Sequence, residues 1–316
     1  MLGAHPEVFA PAEPHLLTPL AHLGYHERVE RAPYDPFVTQ EALRELVRQL
    51  PRGEADYLEA MRAFTDGLYG KLLAASGRRL LVDKTPAYAL VLDFVTRLYP
   101  RARYVVLTRH PFAIWSSFVE SFFDGDPEVA HAHNPLLERY VPAIGRFLRE
   151  RPVPLVTLRY EALVQEPEAA LAPVCAHLGI AFDPRMVRYG ESEGAAPAAR
   201  GLGDPVTVAR ETRPTTAFLG TWPQTLAARP AGLTVARRIL ESLLDEDLAA
   251  FGTTRADLER ELAAAAGTPA RPSPRLPRTR HALERRLLVA LRRNIQQNAF
   301  GRLVRRVRFL CDVLLR

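Results

Sequence analysis

Arg103-Tyr104-Val105-Val106-Leu107-Thr108-Arg109-His110-Pro111 is the stretch on which the fold turns. Up to Thr108 it is β-branched and apolar without alternation, as expected of a strand buried on both faces of a parallel sheet. Pro111 suits an early helix position, and Ala113-Ile114-Trp115-Ser116-Ser117-Phe118 carries that helix on. Upstream, Arg79–Asp83 is a short apolar run ending at Lys84-Thr85-Pro86, read as another buried strand. Residues 87–98 have helical periodicity and stop before Pro100. Downstream, 136–150 reads as a helix, Val153–Tyr160 as a strand, and Pro167–Leu178 as a helix ending near Gly179. Strand and helix alternate three times, which implies an α/β layered parallel sheet with ligand sites at the carboxyl ends of its strands.

The wider chain of 316 residues, 47% hydrophobic and 25% charged, can bury the core of one large domain or two modest ones. No run reaches the roughly 18 apolar residues of a membrane-spanning helix, and no signal-peptide pattern opens the chain, so the expectation is a soluble cytoplasmic protein. Cys175 and Cys311 exclude a disulfide scaffold. The net charge of +6 is uneven. Residues 269–316 hold 13 arginines against Glu284 and Asp312, a net +11, which leaves −5 on residues 1–268. That is not the charge of a nucleic-acid-binding domain. Of the 42 basic residues only Lys71 and Lys84 are lysine, so chemistry specific to lysine is sought there first.

Residues 41–50 and 56–75 read as amphipathic helices, the second with Leu58, Met61, Phe64, Leu68 and Leu72 on one stripe. Residues 232–250 read as one helix with Leu233, Val235, Ile239, Leu243 and Leu244 inward, and 254–265 as another. Three strand ends then gather polar groups: Asp83-Lys84-Thr85, Thr108-Arg109-His110 and Arg159-Tyr160-Glu161. Cations at strand ends that lead into helix N-termini suit phosphate or sulfate, and Tyr160 suits stacking on a base. Singly, an arginine at a strand end is most often a surface group; together the three ends favour an anion site. His131-Ala132-His133 lacks a third metal ligand and Asp124-Gly125-Asp126 lacks a calcium-loop glutamate, so both read as ordinary loops and no metal is expected.

Over roughly residues 1–265 the order of segments resembles the sulfotransferases that use 3′-phosphoadenosine 5′-phosphosulfate, particularly bacterial members and the related tyrosylprotein sulfotransferases. The most specific piece is Val105 to Pro111 followed by Ser117. The resemblance implies that Arg109 and Ser117 hold the cofactor's 3′-phosphate. Arg159-Tyr160-Glu161-Ala162-Leu163 resembles the segment whose tyrosine lies near the adenine, which implies that role for Tyr160. Asp83-Lys84-Thr85-Pro86 with Tyr88 resembles the element whose lysine faces the reacting sulfuryl group, so Lys84 becomes a transition-state stabiliser. Gly203-Asp204-Pro205 and Glu211-Thr212-Arg213-Pro214 resemble a late loop closing over the cofactor; without the family's Arg-Lys-Gly cluster, Arg213 stands in for it. Met1 to Leu17 resembles the segment after the phosphosulfate-binding loop, which places Glu13 as general base and His15 as its rival.

The resemblance also implies a first strand and a Pro-Arg-Ser-Gly-Thr-Thr type loop ahead of Met1. Met1 to Val8 has no lead-in strand and reads as the end of a helix. Either Met1 is internal to a longer protein, or the chain is an inactive relative serving as a scaffold. The expected fold is therefore α/β, a P-loop-NTPase-like sulfotransferase sheet without its first strand and loop, over residues 1–266. A proline- and arginine-rich linker, 267–280, follows. Residues 281–316 read as a basic amphipathic helix suited to an anionic membrane surface or an acidic partner, which would make the protein peripheral at the membrane; docking on its own domain or on a second subunit of a homo-oligomer is the equal alternative. Nucleic acid is disfavoured for want of interleaved aromatics. Residues 119–140 and 190–220 are expected to shape the pocket of a small-molecule or carrier-bound hydroxyl acceptor. A nucleotide kinase of the same broad fold is a further reading.

Overall fold

Val8 and Phe9 form a short strand, β1, where the sequence reading has only the end of a helix. A single 3-10 turn, Leu2–Ala4, precedes it. The apolar pair Val8-Phe9 aligns in parallel with Leu80–Leu81, β2, in the register Val8↔Leu80 and Phe9↔Leu81. The computed structural model describes residues 1–11, 16–22, 36–191, 211–229 and 231–267, with Leu303, Arg306 and Val307. Glu13, His15, most of the linker and most of residues 281–316 thus lie outside the described residues; Leu303 and Val307 are helical and exposed. The chain forms two units: Met1–His110, Arg139–Leu219 and Leu244–Thr253 make the first, and Pro111–Glu138, Gly220–Leu243 and Thr254–Arg316 the second.

In the first unit, α1 (Leu17–Ala21), α2 (Pro36–Gln49) and α3 (Glu54–Ser76) come before β2. Helix α3 ends at Gly77, whose left-handed φ of 64° a side chain would strain. Its buried side is Met61 and Thr65, with Leu58 and Tyr69 packed beside them. Phe64, Leu68 and Leu72 are exposed, which corrects the expected stripe. On that inward side Thr65, fully buried, satisfies its hydroxyl on Met61 O at 3.1 Å and on Tyr99 OH at 2.5 Å.

The helix expected over 87–98 is a 3-10 segment, Pro86–Val91, running into α4 (Leu92–Leu98). Strand β3 (Tyr104–Thr108) pairs in parallel with β4 (Leu155–Arg159), from Tyr104↔Leu155 to Thr108↔Arg159. The expected strand is present but is not buried on both faces. Tyr104 and Val106 pack with Leu92, Phe147, Val153 and Leu155, whereas Leu107 is 52% exposed. Among the described residues the sheet is two separate two-stranded ladders rather than one layer, so no third strand covers that side.

Both ladders start from a common point. Arg79, just before β2, and Arg103, just before β3, donate to Gly179 O at 3.4 Å and His177 O at 2.9 Å. These carbonyls close α9 (Pro167–Leu178), the last of α5 (Pro111–Phe123), α6 (Pro127–His133), α7 (Leu136–Glu150), α8 (Tyr160–Gln165) and α9 in chain order. Cations there complement the negative end of the helix dipole. The other face of the first ladder is apolar: Val8, Leu80 and Val82 pack with Leu171, Cys175, Ile180 and Met186.

The second unit is helical. Helix α5 packs on α6 and on α10 (Trp222–Ala227), with Phe112 and Trp222 ring centroids 5.3 Å apart. Helix α11 (Gly232–Ser242) packs on α6 and on α13 (Arg255–Ala266). The single helix expected over 232–250 breaks at Leu243 and Leu244, which are extended, and restarts in the first unit as α12 (Asp245–Ala250). Asp245, Glu246 and Asp247 fill the first turn of α12, where carboxylates oppose the positive helix end. No helix of the described residues is long and apolar enough to cross a membrane.

Candidate functional site

The last paired residues of the second ladder are Thr108 and Arg159, so Arg109 and Tyr160 leave adjacent parallel strands side by side. The Arg109 guanidinium carbon sits 4.3 Å from the centroid of the Tyr160 ring. That is a cation–π contact, with the guanidinium carbon over the aromatic face. Arg109 Nε is buried without a hydrogen-bond partner among the described residues. A buried donor left unbonded is unfavourable by about 1–3 kcal/mol, so it marks a position where an acceptor fits.

The loop after β3 is clipped to the loop after β4. His110 N–H donates to Glu161 Oε1 at 2.9 Å, and Arg159 Nε stands 3.9 Å from Glu161 Oε2. Arg159 is held from its other side by the turn at Gly252, where φ is 73° and a Cβ would come within 3.0 Å of Nη1. Tyr189 shares this neighbourhood: burial first, then the nearby charges of Glu211 and Tyr160, push its phenol up. Gly190 N–H donates to Thr212 O at 3.0 Å, and the two chains approach so closely there that a Cβ on Gly190 would overlap Thr212. The segment that carries Arg213 is thereby laid against Tyr189, with the Arg213 side chain itself exposed.

At the end of β2, Thr85 is buried and extended, Pro86 opens the 3-10 segment, and Lys84 is exposed. Asp83 Oδ2 accepts hydrogen bonds from Tyr88 OH at 2.8 Å and from Tyr69 OH. Burial pushes the Tyr88 phenol up to about 12.

Of the residues expected from sequence, the structure brings Arg109 and Tyr160 into contact. Lys84 and Arg213 are exposed in the same unit. Ser117 is exposed on α5 in the second unit, and Glu13 and His15 lie outside the described residues. Sequence reasoning missed Glu161 as a clip, Asp83 as an acceptor for two phenols, and Tyr189. The Tyr-Glu and Asp-Lys adjacencies were the available signals, but both were read for their neighbours.

Of the two expected loops in the second unit, Asp124-Gly125-Asp126 is the turn between α5 and α6, and His131-Ala132-His133 is helix instead. Asp126 caps α6 by accepting from Val129 N at 3.0 Å, and His131 and His133 lie on that helix. His131 Nε2 is 2.6 Å from Glu138 Oε1. Gly125, at φ 76°, lies against the Arg229 guanidinium, which pairs with Glu120 through Nε at 2.8 Å and Nη2 at 2.5 Å. Among the described residues no group of three or more potential ligands could hold a metal ion.

With cationic and aromatic side chains at the carboxyl ends of parallel strands, residues 1–184 match the profile of the sulfotransferase family, and the chain belongs to that family. The nodulation protein NoeE of Sinorhizobium fredii (strain NBRC 101917 / NGR234) is 32% identical over 218 residues, which is 61% of this chain and 48% of NoeE. The chain therefore spans about half the length of that relative. Two solved structures are similar: a sulfotransferase domain from the curacin biosynthetic pathway, at 21% identity and TM-score 0.47, covering 75% of this chain and 90% of the other, and a sulfotransferase domain from the Synechococcus PCC 7002 olefin synthase, at 22% identity and TM-score 0.43, covering 86% and 89%.

Proposed function

We propose that this protein transfers a sulfuryl group from 3′-phosphoadenosine 5′-phosphosulfate to an acceptor hydroxyl. Family membership supports the reaction class. The observation that carries the reading is the Arg109 guanidinium, stacked on Tyr160 with a buried, unbonded Nε at the end of β3. A phosphate oxygen is the acceptor such a group lacks, and a charge-assisted bond to it would be short and strong. In this reading Arg109 and Arg213 bind the 3′-phosphate and Tyr160 lies along the adenine.

In the transfer, the acceptor oxygen bonds to sulfur as the bond from sulfur to the 5′-phosphate oxygen breaks. The hydroxyl proton passes to Glu13, with His15 the rival base. The electron pair of the broken bond goes to the phosphate oxygen, whose charge Lys84 offsets.

Calorimetry with adenosine 3′,5′-bisphosphate on the full chain tests the proposal. Wild type is expected to bind, and Arg109→Ala to lose about 10- to 100-fold, the worth of one charged hydrogen-bonding group. No binding by wild type would overturn the reading and leave a scaffold role.

A further inference from the structure

The end of β2 is joined to the start of α1 through side chains. Tyr88 OH donates to Asp83 Oδ2 at 2.8 Å, and the Tyr88 hydroxyl oxygen in turn accepts from Leu17 N–H at 3.2 Å, across 71 residues of chain. Tyr69 OH also donates to Asp83 Oδ2. Leu17 is the first residue of α1, so its amide is one of the donors that a helix start cannot satisfy internally. Tyr88, remote in sequence, supplies the acceptor. The Tyr88 ring is buried among Leu17, Ala21, Met61 and Val91, which fixes the direction of its hydroxyl. Burial also keeps that phenol protonated over the physiological range, and so able to donate to Asp83.

One end of this chain of hydrogen bonds adjoins a group assigned to the reaction: Asp83 immediately precedes Lys84. We propose that Tyr88 is a positioning residue for sulfuryl transfer: by bridging Asp83 to the Leu17 amide, it fixes the strand end that carries Lys84 against the start of α1. This rests on the sulfuryl-transfer reading. It is distinct from the anion contacts of Arg109 and calls for no contact between Tyr88 and either substrate.

The test uses the full chain and Tyr88→Phe, which keeps the ring and removes the bridge. Two quantities are read: hydrogen exchange of residues 16–22, and kcat and KM for release of adenosine 3′,5′-bisphosphate from the phosphosulfate donor with p-nitrophenol as acceptor. Removing one hydrogen bond of ordinary worth is expected to speed exchange at Leu17 and to lower kcat by about 10-fold each. KM for the donor and protection of residues 92–98 are expected to stay within about twofold of wild type. Asp83→Asn, which leaves the core untouched, is expected to lower kcat about threefold in the same pattern, and it serves if Tyr88→Phe does not fold. Unchanged kcat in an active enzyme, or a fall in kcat matched by a rise in donor KM or by lost protection at 92–98, overturns the positioning role alone. A wild type that releases no bisphosphate overturns the transfer reading, and the positioning role with it.

Discussion

Arg109 and Tyr160, 51 positions apart in sequence, are stacked at 4.3 Å because Thr108 and Arg159 are the last paired residues of two parallel strands. The ring presents its negative face to the guanidinium and limits how that group can turn. Ligand affinity should therefore depend on the ring and little on its hydroxyl. Tyr160→Phe is expected to keep adenosine 3′,5′-bisphosphate affinity within about twofold, and Tyr160→Leu to weaken it about 3- to 10-fold, as loss of a partly exposed cation–π contact implies. Calorimetry on both variants checks this; equal affinity for Tyr160→Leu and wild type would sink it.

Gly145 lies inside α7 against α12, and a Cβ there would stand 2.5 Å from Asp247 Oδ1 and 3.0 Å from its Cα. Two effects compete in Gly145→Ala. Alanine favours a helix interior by about 1 kcal/mol over glycine. Overpacking against a backbone atom costs about 1–3 kcal/mol. Because the Asp247 carboxylate is also held by Arg149 Nη1 at 2.6 Å, it has little room to withdraw. Net destabilisation of about 1–2 kcal/mol in urea denaturation is expected, and a stabilised variant would show that α12 yields.

Helix α3 offers a direct check on which side faces the core. Met61→Ala is expected to lose about 2–5 kcal/mol, as for a buried methionine. Phe64→Ala, at a residue 54% exposed, should stay within about 0.5 kcal/mol. Denaturation midpoints of the two variants decide it, and comparable losses in both would restore the stripe expected from the sequence.

Burial alone pushes the Tyr104 phenol up to about 12, and its hydroxyl donates to Tyr99 O at 2.9 Å and Val95 O at 3.2 Å. The unfolded phenol ionises near its ordinary pKa of about 10. Between these values the unfolded chain has lost a proton that the folded chain keeps, so stability present below pH 10 falls as pH rises toward 12. Urea midpoints from pH 9.5 to 12 should fall less steeply for Tyr104→Phe than for wild type; identical slopes would refute the assignment.

Where the sequence was read correctly, the signal was local. The bounds of α7 and α9, and the places of α13, β3 and β4, follow from nearby runs and caps: Gly179 ends α9 with φ 67°, and Thr254 caps α13 by accepting from Asp257 N, while β4 is shorter than the expected Val153–Tyr160 and Tyr160 opens α8. Where it was read incorrectly, the deciding partner was distant. Val8-Phe9 becomes a strand only because Leu80-Leu81 is there to pair with it, and two residues carry no period of their own. Both sides of α3 carry apolar residues, and the inward one is the side that packs with Val91, Val95 and Leu98 and brings Thr65 to Tyr99.

Residue types at the candidate site were legible for the same reason. A cation or an aromatic at the end of an apolar run is a pattern of neighbours, and Lys84, Arg109 and Tyr160 all show it. Family membership was legible from these segments in order, since a matching order needs no folding. The stacking of Arg109 on Tyr160, the clip from Glu161 to His110, and the bridge from Asp83 through Tyr88 to Leu17 were decided only in three dimensions. Each joins residues on separate elements at hydrogen-bond or ring-contact range, and such distances depend on strand register and on what the intervening chain packs against. Propensity and periodicity act along the chain and carry neither quantity.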